Sequence, residues 1–519
     1  MIHTLFPLLA PAAYLALAVA ALRAPGFRPR ALCRGAEAAA LAALAVALAA
    51  GALLLRDGPG TSPSVQIAGL EFALRLDVLS ATMLALVAFV GWAVLRFSSA
   101  YLDGEARQGP FLGWMGATLA GVAVLVSAGT LATLAAGWIA TSLCLHRLLV
   151  FYPERPAAGR AARKKAICAR LGDLALVAAA ILLARGYGSQ EIAAILEAAR
   201  AGEAPPEALP AAGLLALAAI LKSAQFPTHG WLTEVMETPT PVSALLHAGV
   251  VNAGGFLLIR FADVMLLAPG VLAVLVMIGG FTALFGGLVM LTQPAVKTSL
   301  AWSTVAQMGF MILQCGLALF PLALLHILAH SLYKAHAFLA SGMAVETVAQ
   351  IRRPGPVAVP NGRAVLRAFG LALVIYGAIG WGLGLGFEGK SPQAIALGAI
   401  LIFGVAYLIA QGLADAAPKT LTLRTAAYSV AASISYFVLQ TGAERLTADT
   451  LPATPPPGPL EWALIVLAVA SFALVALAQA MFPLWSHHPA ARGIRVHLSN
   501  GLYANAVFDR LLGLRTRPD

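Results

Sequence analysis

Long apolar runs recur along the whole chain, and they limit what it can fold into. Many of them reach the roughly 20 residues that a helix needs to cross the hydrocarbon core of a bilayer. Of the 519 residues, 60% are hydrophobic and only 11% are charged, which excludes an ordinary soluble protein. The sequence therefore predicts an all-α polytopic membrane protein.

The apolar runs predict about fifteen transmembrane helices, one of them broken by prolines. The first run, Leu5 to Leu22, leads into arginines without a convincing cleavage site, which predicts a retained helix rather than a signal peptide. The predicted spans are 3–22, 36–55, 77–97, 111–129, 131–152, 167–185, 209–236 (broken), 240–262, 270–292, 295–316, 318–347, 365–386, 392–413, 422–440 and 460–484.

Basic residues concentrate in alternate connections between these spans, and the intervening connections are neutral or acidic. We expect the chain in a bacterial inner membrane. With fifteen spans, the positive-inside rule then places the N-terminus outside the cell and the C-terminus in the cytoplasm. Because topology accounts for these residues, the net charge of +11 does not indicate nucleic-acid binding. The basic clusters are Arg23 to Arg34; Arg155, Arg160, Arg163, Lys164 and Lys165; Arg352, Arg353, Arg363 and Arg367; Lys419 and Arg424; and Arg492, Arg495, Arg510, Arg515 and Arg517.

The sequence offers no ligand set for a cofactor. The 4 cysteines are scattered, without a CxxC pair, which argues against an iron–sulfur cluster, a structural zinc site or a disulfide framework. No glycine-rich phosphate loop follows a strand. We therefore expect no cofactor in this chain, and any redox or nucleotide chemistry in another subunit.

The stretch from Leu221 to Arg260 gives the first indication of function. It places Lys222 and His247 in apolar runs that a proline-rich break, Pro227 to Pro241, separates. A lysine inside a spanning helix costs roughly 2.5–3.5 kcal/mol, so it normally faces protein or water and serves ion or proton movement. The structural alternatives are a lysine that snorkels to the interface and a histidine that is only a hydrogen-bonded core residue.

A second group of polar residues, His326, His330 and Lys334, lies in the run LLHILAHSLYKAHAFLASG. Their i, i+4, i+8 spacing puts all three on one stripe of one helix, because each step turns by about 40°. This pattern predicts a proton wire. Structural polar packing and zinc chelation by HxxxH are the alternatives, although no glutamate follows the first histidine and a protonated lysine is no ligand.

Three further charged residues are weaker candidates for the pathway. Asp173 lies a turn after Arg170 at the start of a span, where a local ion pair explains it equally well. Lys297 is near the start of its helix, so an interfacial position is similarly expected. Lys390 lies between two spans.

Two segments are predicted to lie outside the membrane. Gln190 to Arg200 is predicted as a short amphipathic helix in an outer loop. The tail, residues 486–519, has apolar residues at helical spacing with basic ones between, which predicts a cytoplasmic cap, a membrane-surface helix or a docking element.

The segments KSAQFPTHGWL, PTPVSALLHAG, TQPAVKTSLAWSTVAQMGFM and HSLYKAHAFLASG resemble the antiporter-like, proton-translocating membrane subunits of complex I and of Mrp-type cation/proton antiporters. The resemblance implies two inverted five-helix repeats, each with a broken helix and a half-channel. Their implied bounds are 111–262 and 270–413, between N-terminal helices in 1–110 and C-terminal helices in 414–485. It also implies a central polar axis of Lys222, His247, His330 and Lys334, supported by Asp173 and Lys297, with Lys390 similar to the terminal lysine of the second half.

One position departs from that family. In complex I the fifth span carries a Gly-Trp-Glu whose glutamate pairs with the lysine of the broken helix. Here the segment reads Gly137-Trp138-Ile139, so switching of that charge pair cannot operate unchanged in the first half-channel. His146, two helical turns further on, is a candidate substitute.

The missing glutamate, the segment HGWLTEVMETPTPVSALLHAGVVNAGGFLL and the short end after the last span resemble a narrower branch. That branch is the membrane subunit of the DAB inorganic-carbon accumulation complex, the DabB family. The resemblance implies a transporter subunit, not an enzyme, that passes cations inward, with the proton as first candidate and Na+ as the other. A cytoplasmic DabA-like partner, similar to a zinc β-carbonic anhydrase, is then expected to hold the zinc and to hydrate CO2 to bicarbonate.

Two other functions stay open on the sequence. The chain could belong to a complex I or Mrp assembly and pump or exchange protons or sodium. It could also be a scaffold that anchors a peripheral enzyme and conducts nothing. The missing glutamate favours the scaffold, whereas the retained lysines and histidines oppose it, because ionisable groups in a membrane are costly to keep.

Overall fold

The computed structural model describes residues 2–23, 26–343, 361–382, 390–412, 419–511 and 513. Within these ranges the chain is mostly helical, and 11 helices are long and apolar enough to cross a membrane. The predicted helical, polytopic architecture is therefore confirmed. Four residues of the predicted basic clusters, Arg352, Arg353, Arg515 and Arg517, lie outside the described residues.

The α-helices occupy two stretches of the described chain. Each predicted span overlaps at least one of them, while the count of fifteen crossings and the inverted repeats stay predictions. Up to residue 343 the helices are α1 (Leu9–Arg23), α2 (Arg30–Asp57), α3 (Val78–Tyr101), α4 (Gln108–Val126), α5 (Leu131–Leu149), α6 (Pro156–Tyr187), α7 (Ile192–Arg200), α8 (Ala208–Lys222), α9 (Gly230–Thr233), α10 (Thr240–Ala248), α11 (Ala253–Arg260), α12 (Ala262–Leu266), α13 (Pro269–Met290), α14 (Val296–Gly316) and α15 (Phe320–Ala340). After residue 360 they are α16 (Gly362–Gly382), α17 (Pro392–Gly412), α18 (Lys419–Thr447), α19 (Pro459–Ala480), α20 (Phe482–Trp485), α21 (Pro489–Ser499) and α22 (Ala504–Leu511).

The connection between α2 and α3 contains short strands that the sequence did not predict. Strand β1 (Gly60–Thr61) pairs antiparallel with β4 (Arg75–Leu76), and β2 (Val65–Ile67) pairs with β3 (Leu70–Phe72). In the register, Gly60 lies opposite Leu76 and Val65 opposite Phe72. Strands this short give too little periodicity to recognise in a sequence.

Local signals explain where several helices begin and end. Asp77 accepts a hydrogen bond from the Ser80 amide and forms a capping box that starts α3. Pro156 opens α6, where its missing N–H leaves no helical bond unmade. Gly188 ends the same helix in the left-handed conformation, at φ 64°.

Helix α6 corrects one prediction. It begins at Pro156, well before the predicted span at 167–185, because no strong helix breaker follows that proline. Lys164 and Lys165, assigned above to a basic loop, are therefore helical, and their exposed fractions are only 1% and 5%.

The helices pack closely where small residues meet. A Cβ at Gly279 of α13 would lie 2.5 Å from the Leu313 backbone nitrogen of α14, and one at Gly316 would lie 2.6 Å from the Val276 nitrogen. Only glycine allows this backbone approach, which is typical of helix pairs in membranes. The pair α13–α14 is thus a tightly packed wall beside the broken helix.

At one end of the bundle, here called the tail face, the C-terminal helices contact the rest of the chain. The buried Lys164 ammonium lies between Glu234 (2.7 Å) and Asp509 of α22 (2.5 Å). Nearby, Gln293 donates to the Ser499 carbonyl at 3.3 Å. The tail therefore packs on its own chain, next to the segment that interrupts the broken helix.

At the end away from these contacts, here called the opposite face, the chain is fixed by buried charges. Arg260 at the end of α11 contacts Asp77 at 2.5 Å, and Arg75 approaches the same carboxylate at 2.8 Å. Arg200 of α7, the predicted amphipathic helix, pairs with Asp263 at 3.0 Å. Both ion-pair groups join segments that are far apart in the sequence.

Candidate ion pathway

Two neighbouring helices of the first half are interrupted. Helix α8 ends at Lys222, and the chain continues without a long helix to Thr240, as the prolines predicted. The next helix has a second interruption that the sequence analysis missed, a 3-10 turn from Val250 to Asn252 between α10 and α11. The Ser223 hydroxyl donates to the Val251 carbonyl at 3.0 Å and joins the two breaks.

Lys222 lies at the first break with an exposed fraction of 8%. Its ammonium is 4.3 Å from the centre of the Trp138 ring, a cation–π distance. No hydrogen bond or ion pair joins this ammonium to any residue in the described ranges. The position is buried within protein, not at a helix end that reaches the surface.

A cavity of about 20 Å3 adjoins this lysine. One ordered water needs roughly 10–15 Å3, so the cavity is large enough for a single small occupant. We call it the two-lysine cavity, because Lys165 of α6 and Lys222 both line it, together with Trp138, Trp231, Leu145 and Cys168.

Asp173 and Arg170 form an ion pair at 2.6 Å, one turn apart on α6. The local pair considered in the sequence analysis is therefore present. Asp173 also attracts Lys222 electrostatically, so it contributes to the charge balance of the two-lysine cavity. Its placement is compatible with the supporting role that the resemblance implied.

Lys165 is a residue that the sequence analysis did not propose for the site. Its ammonium donates to the Ser142 carbonyl at 2.8 Å and to the Ser142 hydroxyl at 2.9 Å. The signal was present, because Lys165, Cys168, Gly172 and Asp173 follow helical spacing toward one face. It was overlooked because the helix was predicted to begin too late.

His247 of α10 is fully buried, and its ring contacts α14 and α15. Its Nδ1 is 3.1 Å from the Thr304 hydroxyl, and its ring stacks on Phe338 with 4.4 Å between centroids. The backbone carbonyl of His247 lies 3.2 Å from Nε2 of His330. Hydrogen bonds thus connect the histidines of the two predicted polar groups.

Lys334 is fully buried and is held by α14. Its ammonium donates to the Leu300 carbonyl at 2.9 Å and also contacts the Ser303 hydroxyl. No carboxylate within the described residues pairs with it, so neutral oxygen acceptors hold this lysine.

His326, one turn before His330, continues the stripe on α15. Its Nδ1 is 2.9 Å from the Gln314 amide oxygen, and its ring centroid is 5.9 Å from that of His330. Across the described ranges, no three His, Cys, Asp or Glu side chains converge as metal ligands.

Asn252, in the second break, was also missed. Its amide donates to the Ser331 hydroxyl at 2.8 Å, and Ser331 directly follows His330. A buried run of polar groups therefore leads from Lys222 and Ser223 through Asn252 to α15. An asparagine so soon after His247 in an apolar run was a usable signal.

In the described residues, no hydrogen bond or ion pair joins the two remaining candidate lysines to this run. Lys297 is half-buried near the start of α14, and no described residue bonds to it. Lys390 precedes α17, donates to the Gln440 amide oxygen at 3.2 Å and lies 4.4 Å from the centre of the Phe437 ring. His146 is half-buried near Lys165, and its role as a substitute for the missing glutamate stays a prediction.

Two family models match this chain. Residues 128–377 match the transmembrane model of the NADH:quinone oxidoreductase/Mrp antiporter family. Residues 64–112 match the model of the N-terminus of complex I chain 5 (NADH-ubiquinone oxidoreductase). The first match includes both breaks and the residues from Lys222 to Lys334.

Several curated proteins are similar in sequence. The "Probable inorganic carbon transporter subunit DabB2" of Halothiobacillus neapolitanus is 38% identical over 458 residues, which are 88% of this chain and 82% of that protein. The corresponding DabB of Hydrogenovibrio crunogenus is 46% identical over 52% of each chain. Subunit L of the Escherichia coli NADH-quinone oxidoreductase is 36% identical over 53% of this chain and 45% of its own.

A solved structure of the Mrp complex from a Dietzia species resembles the fold. The TM-score is 0.64 with 23% sequence identity, and the match covers 98% of this chain and 60% of that one. At this identity the likeness concerns the fold alone.

Proposed function

Since the chain belongs to the DabB family of inorganic carbon transporter subunits, we propose that it conducts a cation, with the proton as first candidate, and so drives inorganic-carbon accumulation. In this proposal a cytoplasmic partner similar to a zinc carbonic anhydrase hydrates CO2 to bicarbonate. Hydration alone only equilibrates the two species, so the energy for accumulation has to enter through the membrane subunit. The chain itself carries out no hydration chemistry and holds no cofactor.

The observation that carries this proposal is the buried polar run from Lys222 to Lys334. Lysines and histidines inside a membrane protein are expensive to bury and are a hallmark of ion and proton pathways. Here the breaks at Ser223 and Asn252 supply polar groups between them, as expected where irregular backbone lines an internal path. A scaffold without conduction has no use for such a run.

The proposal includes the orientation and the repeats. Fifteen crossings would place the tail face in the cytoplasm, next to the partner, and the opposite face outside. Lys164 near the start of α6 contacts the tail, and three more basic residues lie at this end of the helix, namely Arg155, Arg160 and Arg163. Under the positive-inside rule, this cluster supports a cytoplasmic tail face. The two inverted repeats would be residues 111–262 and 270–413.

The test is bicarbonate uptake by cells that produce the chain with its partner. Lys222→Ala and Lys334→Ala should each abolish uptake while the protein remains inserted at wild-type level. Arg56→Ala is the matched control, because this arginine is exposed at the end of α2 and, among the described residues, pairs with its neighbour Asp57 alone. Wild-type uptake by both lysine variants would remove the role assigned to them.

A second candidate is cation/proton exchange or proton pumping within an Mrp-like or complex I-like assembly. The match of residues 128–377 to the NADH:quinone oxidoreductase/Mrp antiporter family model favours it. Membrane vesicles that contain the chain without a carbonic-anhydrase-like partner distinguish the two. Sodium-dependent proton movement in those vesicles would support exchange, whereas uptake that requires the partner supports inorganic-carbon transport.

A further inference from the structure

The two-lysine cavity contains more positive than negative side chains. Lys165 and Lys222 line it, and both are almost completely buried. Within the described part of the chain, Asp173 is the carboxylate that attracts both of them, and Arg170 already pairs with it. If all four groups are ionised, three cations face one anion.

Such an excess of like charge is unfavourable in a site shielded from water. It is relieved either when a lysine loses its proton or when a counter-ion binds. The hydrogen bonds indicate room for a counter-ion at both ammonium groups. Lys165 uses two of its donors on Ser142, and Lys222 makes no hydrogen bond to a described residue, so up to four N–H groups are available.

We propose that the two-lysine cavity binds one small monovalent anion of the size of chloride. The ammonium groups of Lys165 and Lys222 would hold it from two sides. The cavity volume of about 20 Å3 suits a monatomic ion and excludes larger organic anions such as gluconate. One bound anion halves the excess positive charge and keeps both lysines protonated.

The bound anion would add a negative charge beside Trp138, one residue before Ile139, the position where the glutamate of the related subunits is missing. Release of the anion would favour loss of a proton from Lys222, so anion occupancy would set when that lysine can pass a proton on. Binding does not depend on which cation is conducted. It can therefore be measured without any transport assay.

Bromide quenching of tryptophan fluorescence tests the proposal directly, because Trp138 and Trp231 line the cavity. The full chain, purified with its partner, should show a saturable quenching component that chloride displaces and gluconate does not. The chain has 8 tryptophans, and Trp138 is one of the two that line the cavity. Trp138→Phe should therefore reduce the amplitude of the saturable component.

Lys165→Met keeps most of the length of the side chain and removes its charge. It should weaken bromide binding by about tenfold or more, since a hydrogen bond to a charged group is lost. Arg56→Ala should bind bromide as the wild type does. Lys222→Gln serves if Lys165→Met does not fold, and it should weaken binding similarly.

Quenching that rises linearly with bromide, is indifferent to chloride and is equal in all variants would overturn the site. That result would leave the proposed transport function untouched, because uptake is measured separately. Conversely, saturable binding in a chain that fails to support uptake would retain the anion site and remove the function.

Discussion

Replacing Asp77 tests how the opposite face holds the fold together. The carboxylate is 1% exposed, contacts Arg260 at 2.5 Å and Arg75 at 2.8 Å, and caps α3. Asp77→Asn keeps a good cap but removes the charge, which leaves the guanidinium of Arg260 buried without an anion. Breaking a buried pair in this way costs about 3–5 kcal/mol.

A comparison of three variants separates the charge from the cap. Asp77→Ala should cost about 1 kcal/mol more than Asp77→Asn, because it also loses the cap. The double variant Asp77→Asn with Arg260→Met should recover most of the loss, since the fully buried guanidinium is gone and only the partly exposed Arg75 lacks its anion.

The assay is the free energy of unfolding of the purified protein in mixed micelles of a mild detergent and SDS. Arg56→Ala should change it little. A loss below about 1 kcal/mol for Asp77→Asn would refute the reasoning, because it would mean that water or a neighbouring group reaches Arg260. A double variant no more stable than Asp77→Asn would refute the assignment of the loss to the orphaned charge.

The same residue predicts a pH dependence of stability. Burial alone would raise the pKa of Asp77, but Arg260 and Arg75 outweigh burial and hold this pKa well below its usual range. The carboxylate therefore stabilises the fold fully above about pH 4, and this stabilisation is lost as the pH falls toward the lowered pKa. Asp77→Asn should lack this acid-dependent loss in unfolding titrations. Uptake should collapse with a protonophore and be unaffected by removal of sodium, whereas the reverse result would assign the coupling to sodium. If the tail is the docking element, deletion of residues 486–519 should abolish uptake. Asp509→Asn removes the ion pair with Lys164 and should preserve uptake if docking needs the tail helix α22 but not that ion pair. Elemental analysis of the chain without its partner should find no stoichiometric metal, and one zinc per chain lost in His326→Ala would contradict this.

The sequence was informative where costly residues stand in apolar runs. Lys222, His247, His330 and Lys334 could be proposed because a charge or imidazole in a span is rare, and the structure places them in one buried polar run. The break after Lys222 could be predicted because prolines cannot continue a helix.

Features that depend on tertiary contacts could not be predicted in the same way. The second break, at Val250 to Asn252, contains no proline, and a hydrogen bond from Ser223 holds its backbone. Lys165 was assigned to a loop because a cluster of basic residues resembles a connection, and only the partner Ser142 explains its burial. For Lys297, a motif residue, the described residues show no hydrogen bond to the polar run, so its role stays a prediction.

The ion pairs on the tail face also impose an order on biogenesis. Lys164 is made early, acquires Glu234 when the broken helix follows, and meets Asp509 only after α22 has been made. At roughly 5–20 residues per second, the ribosome needs on the order of tens of seconds between Lys164 and Asp509. During that interval the lysine has incomplete charge compensation, so its ion pair with Asp509 forms only when the chain has been made and inserted as far as α22. Premature termination before α22 would leave the buried Lys164 ammonium with Glu234 as its one carboxylate partner among the described residues.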